Sequence, residues 1–135
     1  MMAEQAAPAH MAPAPGTFCW NELATTDFET AKKFYTELFG WTLKESQAAG
    51  MAYNEIVVGD RHIGGMYQMT AEFGNAPSHW MAYVAVDDVD ARAKQAEELG
   101  GKVRVPPSDI PNVGRFCVIN DPTGATISLV KLSGA

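Results

Sequence analysis

The chain is short of basic charge, of cysteine and of long apolar runs. Ten Lys and Arg stand against sixteen Asp and Glu, giving a net charge of −6, and the basic residues form no cluster. Nucleic acid and anionic membrane surfaces are held by clustered cations, so neither is an expected partner. The only two cysteines, Cys19 and Cys117, lie in apolar segments without metal-type spacing. That usage fits buried free thiols in a reducing, cytoplasmic setting. No apolar run reaches the length of a membrane span.

What is present fits a globular domain. The 135 residues are 47% hydrophobic and 19% charged, enough for one core. Residues 1–16, MMAEQAAPAHMAPAPG, read as a flexible Ala/Pro-rich leader that includes His10. It has neither the basic start nor the apolar middle of a secretory signal. Residues 17–135 are expected to form a single domain.

That domain is built around a repeat. Phe18 to Trp41 reads as strand, capped turn, amphipathic helix and strand entry. A weaker copy starts at His79 with a constant offset of 61 residues: Trp20 matches Met81, Asp27 matches Asp88, Leu38 matches Leu99 and Gly40 matches Gly101. In the first copy Thr26 to Glu29 has capping-box spacing, and Phe28, Ala31, Tyr35 and Leu38 form an apolar helix face. In the second, Asp87 or Asp88 caps a helix with inner residues Val89, Ala93, Ala96 and Leu99. A turn around Ala49-Gly50 and a hairpin about Gly59-Asp60 complete one βαβββ module, about 17–70. A stiff irregular loop over Pro106 to Gly114 and a tight Asp121–Gly124 turn belong to the second, about 79–133. The fold class is therefore α+β, two βαβββ modules whose curved sheets enclose a cavity.

The same residues carry a resemblance. Thr-Asp-Phe…Phe-Tyr…Leu-Phe-Gly-Trp (Thr26 to Trp41), Val-Asp-Asp-Val-Asp-Ala (Val86 to Ala91), Gly100-Gly101 and Asp-Pro-Thr-Gly-Ala (Asp121 to Ala125) occur in the order of the vicinal oxygen chelate superfamily. The chain resembles glyoxalase I, extradiol dioxygenases and bleomycin-resistance proteins over Thr17 to Ser133. The resemblance implies the fold but no single reaction, because the superfamily spans isomerases, epimerases, dioxygenases and non-catalytic binders. It also implies divalent-metal ligands seven residues before each helix-starting aspartate and four after the turn glycine. Those positions hold Trp20, Met81 and Ser128, which do not make a hard divalent site. No metal and no cofactor is expected.

Strand alternation assigns the cavity lining. Phe18, Trp20 and Glu22 face it from the first strand, His79, Met81 and Tyr83 from the fifth, and Ser128 from the last. The lining suits a flat or hydrophobic organic molecule. Two readings stand for Glu22: a charge near the strand end that is solvated or pairs with Arg115 or Arg61, or a desolvated carboxylate acting as base or anchor. Tyr83 is then its donor or a wall residue, and His79 a rim acid–base or a surface histidine. Arg115 ends the stiff loop, where it can take an anionic group or remain solvated. Function is expected to be binding of a small organic ligand between modules; the alternative is a metal-independent isomerase or lyase using Glu22, Tyr83 and His79. A metal-dependent glyoxalase or dioxygenase requires a different ligand alignment. Ile63 to Met69 reads as an apolar edge strand, and a homodimer is expected.

Overall fold

A computed structural model describes residues 13–48, 51–111 and 113–133 of the protein. The Ala49-Gly50 turn and most of the leader, His10 included, lie outside the described residues. The first strand, β1 (Phe18–Thr25), leads into α1 (Phe28–Phe39), β2 (Thr42–Ala48), β3 (Met51–Val58) and β4 (Arg61–Gln68). One 3-10 turn at Ala71–Phe73 follows. The order then repeats as β5 (His79–Ala85), α2 (Val89–Glu98), β6 (Lys102–Ile110), β7 (Gly114–Asn120) and β8 (Thr126–Leu132). No helix among the described residues is long and apolar enough to cross a membrane.

Aspartates start both helices. The Asp27 carboxylate accepts from Thr30 N–H at 3.1 Å, and Asp88 accepts from Ala91 N–H at 3.0 Å. Asp27 therefore takes the capping role expected of Thr26, and Thr30 adds its hydroxyl at 2.7 Å. Those bonds hold the Asp27 carboxyl below its ordinary range. Asp27→Ala should lower the denaturant midpoint in chemical denaturation; an unchanged midpoint would contradict the capping role. Gly40 ends α1 in the left-handed region at φ 72°.

The strands form one mixed sheet, β2-β3-β4-β1-β5-β8-β7-β6, in which β1 and β5 pair antiparallel at the centre. Both helices cover the same sheet face. Leu23, Ile56 and Met66 pack with Phe28, Ala31 and Tyr35 of α1. Cys117 and Leu129 pack with Val89 and Ala93 of α2. Leu38 and Leu99, expected on these inner faces, are instead 58% and 70% exposed. Leu38 lies in the last turn of α1, and Leu99 is the C-cap residue just past α2.

Three expectations are corrected by pairing. β4 is no edge: β3 hydrogen-bonds one side and β1 the other. The true edges are β2 and β6. Most of the expected Pro106–Gly114 loop is strand, with Ser108, Asp109 and Ile110 opposite Phe116, Arg115 and Gly114. The register skips Pro106-Pro107, which an edge strand accepts because its outer N–H groups need no partner. Finally, a bulge between Phe18 and Trp20 places Phe18 opposite Val84, on the α2 side, where it is 70% exposed. Phe18 does not line the face that carries Glu22.

Candidate functional site

The helix-free face of the central strands carries a connected polar cluster in aromatic surroundings. In β1 the alternation that sends Leu23 into the α1 core sends Trp20 and Glu22 to the other face. Trp20 is opposite Tyr83 and Glu22 opposite Met81 across the β1–β5 ladder. β8 brings Ser128 opposite Tyr83. Four side chains are joined: Trp20 Nε1 donates to Tyr53 Oη at 2.8 Å, and Tyr53 Oη donates to Glu22 Oε2 at 2.7 Å. Tyr83 Oη donates to Glu22 Oε1 at 2.9 Å. Each carboxylate oxygen thus holds one phenol.

Burial dominates the electrostatics. It raises the Glu22 carboxyl above the ordinary range, while the bonds from Tyr53 and Tyr83 and the charge of His79 act against it. Burial and the adjacent carboxylate push both phenols far upward, so each stays a donor at any working pH. Tyr67, stacked on Tyr53 with centroids 6.2 Å apart, is pushed up to about 12, mainly by burial.

The raised carboxyl has a pH signature opposite to that of Asp27. Folded chains hold the Glu22 proton at higher pH than unfolded ones, so its stabilising contribution grows as pH falls through the folded value. It is complete below the unfolded value and withdrawn above the folded one. The stability of wild type relative to Glu22→Gln should therefore rise as pH falls from neutral toward the ordinary carboxylate range, by denaturant titration at each pH. A difference independent of pH would sink this assignment.

Tyr53 was not legible as a site residue, because it reads as a plain hairpin position. The signal lies across the hairpin in Gly65. A Cβ there would fall on the Tyr53 hydroxyl and ring, so only glycine leaves room for the phenol to reach Glu22. Gly64 is also needed, since its Cβ would meet Asn21 O at 2.5 Å.

The other expected residues divide. Ser128 is fully buried, and its Oγ has no partner within normal hydrogen-bond geometry, although Tyr83 Oη is the neighbouring polar group. It is a buried hydroxyl without a well-formed bond beside the cluster. Met81 shares the face as the partner of Glu22. His79 shares it too, but its Nδ1 contacts Pro77 O at 2.8 Å rather than the carboxylate. Arg115 is elsewhere: it donates to both Asp90 oxygens at 2.8 and 2.9 Å and to Asp109 at 3.0 Å. Those carboxylates hold it on the α2 side, so it does not pair with Glu22. His62 pairs with Glu55 within the β3–β4 hairpin.

The donor chemistry does not fit a divalent ion of the kind this fold implies elsewhere. Indole and thioether occupy two of the ligand positions, the third is a lone hydroxyl, and both Glu22 oxygens already accept phenols. Among the described residues no three His, Cys, Asp or Glu converge.

Residues 9–129 match the family described as Glyoxalase/Bleomycin resistance protein/Dioxygenase superfamily. Over 117 residues, 86% of this chain, it is 44% identical to the Mycobacterium bovis protein named "Putative glyoxylase CFP32", of which that stretch is 44%. It is 34% identical to "Anthracycline biosynthesis protein DnrV" of Streptomyces peucetius, over 86% of this chain and 47% of that one. The chain thus spans a little under half the length of these curated relatives. In fold it is similar to methylmalonyl-CoA epimerase from Mycobacterium tuberculosis, with TM-score 0.61 at 17% identity over 93% of this chain and 95% of that one.

Proposed function

The chain belongs to the Glyoxalase/Bleomycin resistance protein/Dioxygenase superfamily, and from that premise we propose that it is a metal-independent member binding a small aromatic or hydrophobic organic molecule. The ligand would lie against the helix-free face, where Trp20, Met81, Tyr67 and Ser128 surround the Glu22 cluster. One observation carries this reading: each Glu22 oxygen already accepts a phenol, and an indole, a thioether and a lone hydroxyl (Trp20, Met81 and Ser128) stand at the positions that would hold a metal. The relative named for anthracycline biosynthesis supports a flat aromatic ligand class. Two copies working as a homodimer, in the cytoplasm, complete the proposal.

The raised Glu22 carboxyl favours a second reading, an enzyme of isomerase or lyase type. Glu22 would exchange a proton with the ligand, and Tyr83 would donate to the oxygen on which charge develops. His79 would act through its charge at the rim.

Elemental analysis of untagged protein comes first, and no stoichiometric transition metal is expected. A panel of flat aromatic compounds should then contain micromolar-or-better binders that quench tryptophan emission. Bound metal at one equivalent, or a panel with no binder, would remove the first reading. Glu22→Gln separates the two: a pure binder keeps its complex and shows no turnover to lose. An enzyme keeps binding but slows by about 10²–10⁴-fold.

A further inference from the structure

The helix side of the first module carries aromatic surface that the fold itself does not require. Tyr35, Phe39, Trp41 and Trp80 form one cluster, with Tyr35 5.6 Å from Trp41 and 5.5 Å from Trp80 between ring centroids. Phe34 joins it edge-on to Tyr35 at 5.0 Å. Yet Phe34, Phe39 and Trp80 are 57%, 56% and 43% exposed, and no residue of α1 is fully buried. Beside them runs a groove of about 350 Å³, walled by Trp41, Trp80 and Ile63 and floored by Ile56 and Gly64.

The second module is the internal control. Sixty-one residues along, Phe34, Tyr35, Phe39 and Trp41 are matched by Gln95, Ala96, Gly100 and Lys102. The same helix packs on the same kind of sheet without an aromatic cluster, so the cluster is not the cost of building a βαβββ unit. Surface aromatics in a contiguous patch mark an interface.

We propose that this face seats the same face of a second copy of the chain across a two-fold axis, with Phe34 and Phe39 of each copy against the groove of the other. This deepens the two-copy part of the function proposed above by assigning its surface. A two-fold contact needs projection and recess on one patch, and both are present here. The three exposed rings, Phe34, Phe39 and Trp80, with the flanking Leu38 and Ile63 at 58% and 37% exposure, offer roughly 400 Å² of apolar area at the 150–250 Å² carried by a full aromatic side chain. That is a sufficient core for an interface of about 800 Å² per partner. Lys33 and Glu37 pair with each other on α1 at 2.9 Å, which keeps this face near neutral despite the chain's net charge of −6. The curated relatives, at somewhat over twice the matched length, have room for two such units in one chain.

The test is mass by light scattering on the full chain over a dilution series, with Phe39→Glu and the control Gln95→Glu. Wild type and Gln95→Glu should run as dimers, and Phe39→Glu should be a monomer with unchanged circular dichroism, weakened at least 100-fold in association. Tryptophan emission should shift red when wild type is diluted to monomer, and should already be shifted in Phe39→Glu. A wild-type dimer that Phe39→Glu leaves intact overturns this surface while keeping the two-copy reading. A monomeric wild type overturns both. Should Phe39→Glu misfold, Phe34→Lys on the neighbouring turn provides the same comparison, with the same outcomes.

Discussion

Gly65→Ala is expected to destabilise the chain by about 3–5 kcal/mol, the sum of an overpacking cost of about 1–3 kcal/mol and of about 1 kcal/mol for each of the two hydrogen bonds disturbed. Gly65 lies in an ordinary strand, paired with Glu22 on one side and Glu55 on the other. No left-handed backbone demands glycine there. The demand comes from above, where the Tyr53 phenol crosses the space a methyl would fill. Tyr53 is itself 9% exposed and stacked on Tyr67, so it has little freedom to step aside. Displacing it breaks the bonds to Trp20 and Glu22 together. The thermal midpoint should fall on the order of 10 °C. Placed in a Tyr53→Ala background, the same substitution should be close to neutral, and that non-additivity identifies the cause. A single-variant loss below about 0.5 kcal/mol, or full cost in the double variant, would reject it.

The parts of this molecule legible in the sequence are those set by local chemistry or by the strand period. Asp27, Asp88, Gly40 and Gly59-Asp60 declare their caps and turn through their own side chains or lack of one. The alternation in β1 and β5 was enough to put Trp20, Glu22, Met81 and Tyr83 on one face, since a buried α1 core fixes Leu23 on the other. What stayed hidden depends on partners distant in sequence. Phe18 obeys the same alternation until a one-residue bulge breaks it. β4 looks like an edge because nothing in Ile63 to Met69 names its neighbours, and β1 arrives from forty residues away. The prolines of β6 read as loop because proline interrupts a ladder, and only the sheet order shows that this ladder has a free side. Arg115 is claimed by Asp90, a residue of α2 that reaches it only after folding.

Tyr53→Phe is expected to cost about 2–3 kcal/mol, and Tyr83→Phe about 1 kcal/mol, although both remove one phenol hydroxyl from the same carboxylate. The asymmetry follows from what stands behind each tyrosine. Trp20 Nε1 can only donate, and its partner is Tyr53 Oη. Tyr53 therefore accepts from the indole and donates its own O–H to Glu22; without the hydroxyl, a part-buried indole N–H and a carboxylate oxygen are stranded together. Behind Tyr83 stands Ser128, whose hydroxyl rotates and already lacks a well-formed bond, so little further is stranded by Tyr83→Phe. Both variants should raise the Glu22 carboxyl further, because each removes a bond that favours its charged form. Carbon-13 NMR of the Glu22 carboxyl gives the titration, and denaturant unfolding gives the cost. Equal costs, or a Glu22 titration unmoved in both variants, would break the assignment of Tyr53 as the fixed limb and Tyr83 as the adaptable one. If the order holds, Tyr83 and Ser128 are the side from which a bound molecule can enter the network, because there a hydrogen bond can be exchanged without leaving the Trp20 N–H unpaired.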